Sequence, residues 1–432
     1  MNNKSFLIDF GASRIKSAIC DGSNMYDIQS NNPIEAVVSY NKKFEINPAM
    51  LQNQFKELAK QYYKKYKFEN IFISSQMHGF ALLDENSKII TNYISWKDER
   101  SLNKINGISS FEIIKNKLGD NFFKKTGMNL RPCYPIINLY HLLREDKIKA
   151  KKIKVITLGD LLCMCDNKSL NISHDTMAAG LGFYNIYDKK YDSDIIDLFN
   201  EFDIELGFFK AINNIEKAGY INIDNTDIPI YTGIGDHQCA ILGAGNDEHT
   251  ISVNLGTGSQ IAIINLQNPY TEKRPYFNNK YMSVITHIPS GRALNTYINF
   301  LKEINPNIDY WKILSQLSLK DILSSDLNID LATFSSAWGY NKGGEISNIK
   351  ENNLTLKNYL SSLVHSYIKQ YKKGIGIFQD NQYSKIILSG GIPKKIPAIK
   401  DYFMFNGFKT IIPNLEYDET LEGLKKISIS VK

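Results

Sequence analysis

The sequence lacks an apolar run long enough for a membrane-spanning helix, and its start, MNNKSFLIDF, has no signal-peptide hydrophobic region. We therefore expect no membrane segment and a cytoplasmic location. Cysteine is scarce and odd in number, with five in 432 residues. The two that lie close together, Cys163 and Cys165, form C-x-C, and no His/Cys cluster has zinc-ligand spacing. The cysteines therefore do not indicate a zinc site, and a reducing cytoplasm fits best.

A strong charge of either sign is also missing, since 51 basic against 45 acidic residues give a net charge of +6. The runs KKYK (64–67) and KIKAKKIK (147–154) are typical of solvated helix faces or loops, and no nucleic-acid recognition motif accompanies them. We expect no nucleic-acid partner. The phosphate loop G-x-x-x-x-G-K-[ST] is absent as well, which excludes the nucleotide site built on that loop.

The first informative segment is FLIDFGASRIKSAIC, residues 6–20. Its apolar runs predict two strands, joined as a hairpin by the turn Gly11-Ala12-Ser13. Asp9 lies at the lip of this turn and Lys16 just beyond it. A tight turn offers N–H groups to an anion, and a carboxylate can hold a cation. The pattern indicates a metal–phosphate site, although an ordinary hairpin with a solvated aspartate shows the same letters.

The pattern returns in TISVNLGTGSQIAII, residues 250–264. Asn254 corresponds to Asp9, Gly256 to Gly11 and Thr257 to Ala12. Two such hairpins indicate a duplicated domain whose halves face a shared cleft. Because glycine allows the backbone to approach a ligand closely, the two turns could bind the β- and γ-phosphates of one nucleotide.

Two further segments carry glycine after a strand. SKIILSGGIPKK (384–395) predicts a buried strand, then Gly390-Gly391, then a helix begun by proline, which is a common place for a nucleotide. IPIYTGIGDHQCAILGAG (228–245) predicts a strand that ends before Asp236, at the start of a helix. An aspartate there is often a structural N-cap. Its alternative role is to accept a hydroxyl proton during phosphoryl transfer.

Together with SSQMHG (74–79) and WKDER (96–100), these motifs stand in an order that resembles the FGGY carbohydrate kinases of the actin-like ATPase superfamily. The resemblance covers nearly the whole chain. It implies an α/β fold of two ribonuclease-H-like domains with a cleft between them. Residues 1–226 would form the sugar-binding domain and residues 227–432 the nucleotide-binding domain.

The resemblance also implies roles for individual residues, with ATP and Mg²⁺ as cofactors and a small sugar as substrate. Asp236 would be the general base and contact the substrate, and Asp9 would help to place Mg²⁺. The phosphates would lie against Gly11, Ser13, Lys16, Gly256 and Thr257, and adenosine against Gly390 and Gly391. The sugar would contact Gln76, Met77, His78, Trp96 and Asp98. Two structural alternatives stay open: His78 as a core histidine, and Asp98 in a salt bridge with Arg100.

The substrate prediction rests on SHDTMAAGLGFYN (173–185), GDHQC (235–239) and EKRPYF (272–277), which are similar to sedoheptulokinases, whereas SSQMHG is also similar to xylulokinases. We therefore predict transfer of the γ-phosphate of ATP to a terminal primary hydroxyl of sedoheptulose or a related heptulose. The alternatives are a kinase of xylulose or another short ketose or polyol, and a non-catalytic actin-like regulatory protein. Intact Asp9, Lys16 and Asp236 argue against the latter.

Some segments depart from the family pattern. Ala12 stands where a threonine is usual, and the C-terminal DETLEGLKKISISVK (418–432) keeps Gly423 but lacks the usual Gly-Ala-Ala ending. A homodimer is left open. Residues 213–227 are predicted to form a helix and loop at the domain border, and residues 354–371 a core helix with Leu356, Leu360, Leu363 and Ile368 on its buried face.

Overall fold

The computed structural model describes residues 4–166, 168–256, 259–265, 268–334, 337–340, 343–378, 383, 385–413 and 418–431. Thr257, which the sequence assigns to the phosphate site, lies outside the described residues. The chain packs as two units. The first unit contains Met1–Gly243, Lys273–Lys280 and Tyr417–Lys432, and the second unit contains Ala244–Glu272 and Tyr281–Glu416.

The first unit contains most of the strands. They are β1 Lys4–Phe10, β2 Ile15–Asp21, β3 Asn24–Asn31, β4 Glu45–Ile46, β5 Asn70–Ser75, β6 Ala81–Leu83, β7 Tyr93–Ile94, β8 Lys104–Ile105, β9 Ile108–Ser109, β10 Lys152–Ile156, β11 Ile172–His174, β12 Tyr184–Asn185, β13 Lys190–Tyr191, β14 Glu205–Phe208, β15 Lys210–Ile212, β16 Lys217–Ile223, β17 Thr226–Tyr231 and β18 Ile234–Gly235. Its helices are α1 Pro48–Tyr66, α2 Ser110–Leu118, α3 Asn121–Thr126, α4 Pro135–Arg144, α5 Leu158–Cys163, α6 Asp175–Ala178, α7 Ser193–Ile196 and α8 Asp236–Gly243, with 3₁₀ turns at Arg100–Leu102, Ala179–Leu181 and Asp197–Phe202.

The second unit contains β19 Thr250–Leu255, β20 Ser259–Ile264, β22 Tyr281–Thr286, β23 Asn328–Ile329, β24 Ile346–Ser347, β25 Lys385–Ser389 and β26 Lys409–Ile411, and β21 Glu272–Pro275 begins at its boundary. Its helices are α9 Gly291–Ile304, α10 Tyr310–Ser315, α11 Leu319–Leu323, α12 Leu356–Ile377, α13 Ile392–Lys395 and α14 Ala398–Phe405. The C-terminal helix α15 Glu419–Ser430 belongs to the first unit. None of the helices that the structure describes combines the length and the hydrophobicity of a bilayer span.

The main sheets of the two units repeat one pattern of strands. In the first unit β3, β2 and β1 are antiparallel neighbours and β5 lies parallel to β1. In the second unit β22, β20 and β19 are antiparallel neighbours and β25 lies parallel to β19. The duplication that the two glycine hairpins predicted is thereby confirmed.

A long helix covers each main sheet and explains where the core lies. Helix α1 begins after Asn47, whose side chain accepts a hydrogen bond from Ala49 N at 2.9 Å. Its residues Leu51, Phe55 and Leu58 recur at helical spacing and are buried against β1 and β5. Helix α12 does the same in the second unit and confirms the predicted core helix. Leu360, Leu363 and Ile368 are fully buried there, whereas Leu356 is exposed because it opens the helix.

The prediction of a helix and loop over residues 213–227 is wrong. Strands β16 and β17 pair there as an antiparallel hairpin at the edge of the first main sheet. Ala218, Ile221, Ile223 and Ile228 are buried, so the alternating apolar pattern of a strand governs this polar stretch. The border expected between residues 226 and 227 therefore coincides with the start of β17, inside the first unit, which continues to Gly243.

Helices α8 and α15 pack so closely that glycine is required on both. A Cβ added to Gly423 would overlap the carbonyl oxygen of Cys239, and one added to Gly243 would overlap that of Glu419. Cys239 Sγ also donates to the carbonyl oxygen of Thr420 at 3.2 Å. The C-terminal helix is thus held against the helix that starts at Asp236.

We predict that Gly423→Ala lowers the free energy of unfolding by about 1–3 kcal/mol, the usual cost of overpacking a close contact. The matched control is Gly343→Ala, because a Cβ at Gly343 has nothing within 4 Å. Chemical denaturation of both variants checks this. Equal stability of the Gly423 and Gly343 variants would contradict the close packing of α8 on α15.

Candidate functional site

Several of the predicted site residues of the first unit lie at the carboxyl ends of three parallel strands. In β1, β5 and β18, Asp9 pairs in register with Ser74, and Ser74 with Ile234. The chain then leaves β5 into Gln76-Met77-His78 and leaves β18 into Asp236. Because parallel strands end at one edge of a sheet, residues from three separate motifs are delivered to one place.

The first hairpin forms as predicted and brings its two charges together. In the antiparallel pair of β1 and β2, Asp9 stands opposite Lys16, and Lys16 Nζ lies 3.7 Å from Asp9 Oδ2. A Cβ on Gly11 would come within 2.8 Å of the Arg14 carbonyl oxygen, so the turn excludes a side chain there. Ser13 is exposed at the tip of the turn.

Asp9 is a buried carboxylate, 3% exposed, whose Oδ1 has no hydrogen-bond partner. Burial raises its pKa to about 7; Lys16 opposes this, and the charges of Asp236 and Asp418 add to it. Among the described residues, no group of three or more His, Cys, Asp or Glu side chains forms a metal centre by itself. An unpaired hard oxygen among carboxylates fits Mg²⁺, which commonly takes one or two carboxylates together with substrate phosphates.

Asp236 is the first residue of α8, as the sequence predicted, and as a whole residue it is half-buried. His237 N donates to Asp236 Oδ1 at 2.8 Å. Burial raises the pKa of Asp236 to about 6, against the lowering effects of this N–H, Arg274 and Lys16. The carboxylate can therefore gain and lose a proton near neutral pH, which suits a general base.

The segment SHDT, residues 173–176, fixes the backbone just before Asp236. His174 Nδ1 lies 2.8 Å from Thr176 Oγ1, and Gly235 N donates to the same oxygen at 3.2 Å. A Cβ on Gly235 would overlap the side-chain oxygen of Gln238 and come within 2.8 Å of Met77 Sδ. Gly235 is therefore held by Thr176 and by its close packing on Gln238 and Met77, and this orients the carboxylate of the next residue, Asp236.

His78 adopts a left-handed backbone conformation with φ of 60°, which is uncommon for a residue other than glycine. Its Nδ1 lies 3.0 Å from the Gly180 carbonyl oxygen, and its ring stacks on Tyr134 with centroids 4.8 Å apart. Met77 is buried, and Trp96 is 42% exposed. The half-buried ring of His78 is therefore oriented by its surroundings rather than enclosed in the core.

Gln76 has a different environment, beside a cavity of about 270 Å³ in the first unit. The cavity is also lined by Gly11, Ala12, Ser95 and Lys97. Gln76 is 6% exposed, and its side-chain oxygen has no hydrogen-bond partner. Gln76 thus lies beside the turn of the first hairpin, because it lines the same cavity as Gly11 and Ala12.

Asp98 is fully buried and its two carboxylate oxygens are occupied. Arg100 donates from Nε to Oδ1 at 2.8 Å and from Nη2 to Oδ2 at 2.6 Å, and Phe44 N donates to Oδ2 at 2.6 Å. Arg100 Nη2 also reaches Glu45 at 2.6 Å. The geometry favours the structural alternative for Asp98, an ion pair that closes the loop around Trp96.

Sequence reasoning missed His237 and Arg274. His237 is 8% exposed and neither ring nitrogen has a hydrogen-bond partner, which is rare for a buried imidazole. Burial lowers its pKa well below the ordinary value, and the nearby charges of Arg274 and His78 lower it further. The sequence signals for these two residues are the histidine after Asp236 in GDHQC and the arginine in EKRPYF.

In the second unit, three elements meet at the turn after β19. Ser290 Oγ and Gly291 N donate to the Gly256 carbonyl oxygen at 2.9 and 3.0 Å. Gly390, with φ of 85°, follows β25, and a Cβ there would come within 2.6 Å of the Leu255 carbonyl oxygen. Gly391 precedes α13, and a Cβ there would meet open space. The strand–glycine–helix prediction is confirmed: Gly390 allows the close contact with the end of β19, and the backbone at Gly391 faces open space.

Comparisons with known proteins agree with this geometry. Residues 5–243, which end where the first segment of the first unit ends, match the N-terminal domain of the FGGY family of carbohydrate kinases. The chain is 24% identical over 335 residues to a xylulose kinase of Staphylococcus xylosus and 26% identical over 241 residues to a gluconokinase of Bacillus licheniformis. These alignments cover 69% and 53% of this chain and span 66% and 44% of the two relatives.

Solved structures share the fold. A ligand-bound xylulose kinase from Lactobacillus acidophilus superposes with a TM-score of 0.80 at 17% identity, covering 99% of this chain and 90% of that one. The glycerol kinase of Plasmodium falciparum with ADP gives 0.77 at 16% identity, covering 100% and 90%. The ribonuclease-H-like pattern of both main sheets is therefore that of the two-domain actin-like fold, and the chain belongs to the FGGY family of carbohydrate kinases.

Proposed function

We propose that this protein is an ATP-dependent carbohydrate kinase that phosphorylates a terminal primary hydroxyl of a ketose. The observation that carries the proposal is Asp236, which begins α8 directly after β18 and whose pKa is raised to about 6 by burial. A carboxylate with such a pKa accepts the proton of an attacking hydroxyl near neutral pH. The relatives named gluconokinase and xylulose kinase support a sugar-like acceptor.

In this proposal the acceptor lies in the first unit, beside Met77, His78 and Trp96. His237 joins these residues, because its two unpaired ring nitrogens would gain hydrogen bonds from sugar hydroxyls. Burial, with a smaller effect of the charges of Arg274 and His78, lowers the pKa of His237 and keeps it neutral, so the imidazole can both donate and accept. Asp98 contributes by holding the loop that presents Trp96.

The phosphates are assigned to Gly11, Ser13 and Lys16 in the first unit and to Gly256 and Thr257 in the second. Gly390 and Gly391 are assigned to the adenosine. Mg²⁺ would be held near Asp9, and when bound it supplies charge neutralisation at the transferred phosphoryl group. Lys16 adds a fixed positive charge there, and the backbone N–H groups of a tight turn that contains glycine can approach phosphate oxygens closely.

The preferred acceptor in our proposal is sedoheptulose or a related heptulose. A seven-carbon ketose brings more hydroxyls than a pentulose, and buried groups such as His237 and Gln76 would remain unsatisfied with a shorter sugar. Xylulose is the second candidate, because xylulose kinases occur both among the relatives and among the similar solved structures.

Asp236→Asn should lower kcat by at least roughly 10²-fold, because the amide cannot accept the hydroxyl proton. Affinities for sugar and nucleotide should stay close to those of the wild type. Steady-state ADP release and calorimetric titrations measure both. A correctly folded Asn variant with near-normal kcat would remove Asp236 from the role of base.

The wild-type pH profile offers an independent check. Asp236 has to be ionised to act as a base, and Asp9 has to be ionised to hold a cation. Since burial raises their pKa values to about 6 and about 7, kcat/KM should be full above this range and fall as the pH drops through it. A profile that stays flat down to pH about 5 would contradict the assignment, because an unperturbed aspartate titrates near pH about 4.

Asp9→Ala and Gly256→Val should raise the KM for Mg·ATP by roughly tenfold or more while changing the KM for sugar little. Asp9→Ala removes a carboxylate that would bind the cation, and with it one charge-assisted contact. Gly256→Val puts a branched side chain where the phosphates would approach the backbone. ATP titrations at saturating sugar measure the effect. Gly343→Val is the matched control, since its Cβ meets open space. Variants that alter only the sugar KM would speak against the assignment.

The substrate class is tested by kcat/KM for sedoheptulose, xylulose, ribulose, fructose, gluconate and glycerol in one coupled ADP assay. We expect the heptulose to rank first, because it satisfies the most buried polar groups. Xylulose or glycerol exceeding every heptulose by tenfold would end the heptulose assignment while leaving the kinase intact. Sugar-independent or absent ADP release would favour a non-catalytic actin-like protein.

A further inference from the structure

Lys16 has a second carboxylate partner that belongs to the C-terminal helix. Its Nζ lies 2.8 Å from Asp418 Oδ2 and 3.7 Å from Asp9 Oδ2. The side chains of Lys16 and Asp418 are 27% and 29% exposed, whereas that of Asp9 is 4% exposed. The shorter contact is a charge-assisted hydrogen bond, so Asp418 decides where the ammonium group stands.

The carboxylate of Asp418 is itself held in place. Asp418 is the N-cap of α15, and its Oδ1 accepts a hydrogen bond from Thr420 N at 3.0 Å. Helix α15 is in turn locked on α8 through Gly423 and Gly243. Asp418 is therefore an anion whose position is fixed by α15, and α15 packs on α8, the helix that begins at Asp236.

The charge of Asp418 affects how Lys16 interacts with Asp9. Burial alone would lower the pKa of Lys16, yet Asp9 and Asp418 outweigh it and raise that pKa above its ordinary value. Without Asp418, the carboxylate of Asp9 would be the nearest anion to a half-buried ammonium group. Lys16 would then form a close ion pair with Asp9. In that pair each charge would be neutralised by the other, so neither residue would be available to the nucleotide or its cation.

We propose that Asp418 is a positioning residue for the phosphate end of the site: it holds Lys16 in place for the nucleotide and keeps it from closing onto Asp9. The inference rests on the proposed kinase function and deepens it. It gives the C-terminal segment, which departs from the family pattern in sequence, a part in nucleotide binding.

The decisive variant is Asp418→Asn, since asparagine also caps a helix but carries no charge. We expect the KM for Mg·ATP and the calorimetric Kd of a non-hydrolysable Mg·ATP analogue to rise roughly tenfold, the loss of one charge-assisted hydrogen bond. The sugar KM should change less than twofold, and Asp418→Glu should restore part of the affinity. The control is Asp309→Asn, which removes the charge from another N-cap, at α10.

A double mutant separates positioning from a general effect on the fold. If Asp418 acts through Lys16, Asp418→Asn should add almost nothing in a Lys16→Met background. Full additivity, unchanged nucleotide affinity, or equal losses for sugar and nucleotide would each overturn the inference. A wild-type protein with sugar-dependent ADP release but an unaffected Asp418→Asn variant would overturn the inference alone. A wild-type protein that releases no ADP with any sugar would overturn the proposed function and this inference with it.

Discussion

The parallel register of β1, β5 and β18 is the constraint on which the site of the first unit depends. It aligns Asp9 with Ser74 and Ser74 with Ile234, so the chain leaves two neighbouring strands beside Asp9. A slip of one residue in any of these strands would turn its side chains to the other face of the sheet. The buried face of the sheet, packed on α1, fixes the register, so the hydrophobic core also determines the geometry of the candidate site.

This alignment concentrates negative charge in a poorly solvated place. The charges of Asp236 and Asp418 both act on Asp9, and Lys16 contacts the carboxylates of Asp9 and Asp418. Burial makes ionisation of Asp9 and Asp236 costly, which is why both titrate near neutral pH. In our proposal this cost is reduced by the ammonium of Lys16 and by the cation that accompanies a nucleotide.

The two units use one topology for different chemistry. Asp9 stands in register with Ser74 in the first unit, and Asn254 stands in register with Ser389 in the second. Asn254 donates from Nδ2 to Ser389 Oγ at 3.1 Å, so the amide closes a neutral hydrogen bond where the first unit keeps an unpaired carboxylate oxygen. The replacement of a carboxylate by an amide, Asp9 against Asn254, thus makes this position charged in the first unit and neutral in the second.

Local patterns in the sequence were enough to identify the two hairpins, the strand–glycine–helix turn, the helix start at Asp236 and the family. These features depend on residues that are neighbours in the chain. The sequence did not reveal that residues 217–231 form an edge hairpin, that Arg100 occupies both oxygens of Asp98, or that His237 is buried without partners. Lys16 and Asp418 are 402 positions apart, and only the packing of α15 on α8 brings them together. Such pairs were decided by the tertiary structure, because burial and long-range partners, rather than residue type, determine which charges are available for chemistry.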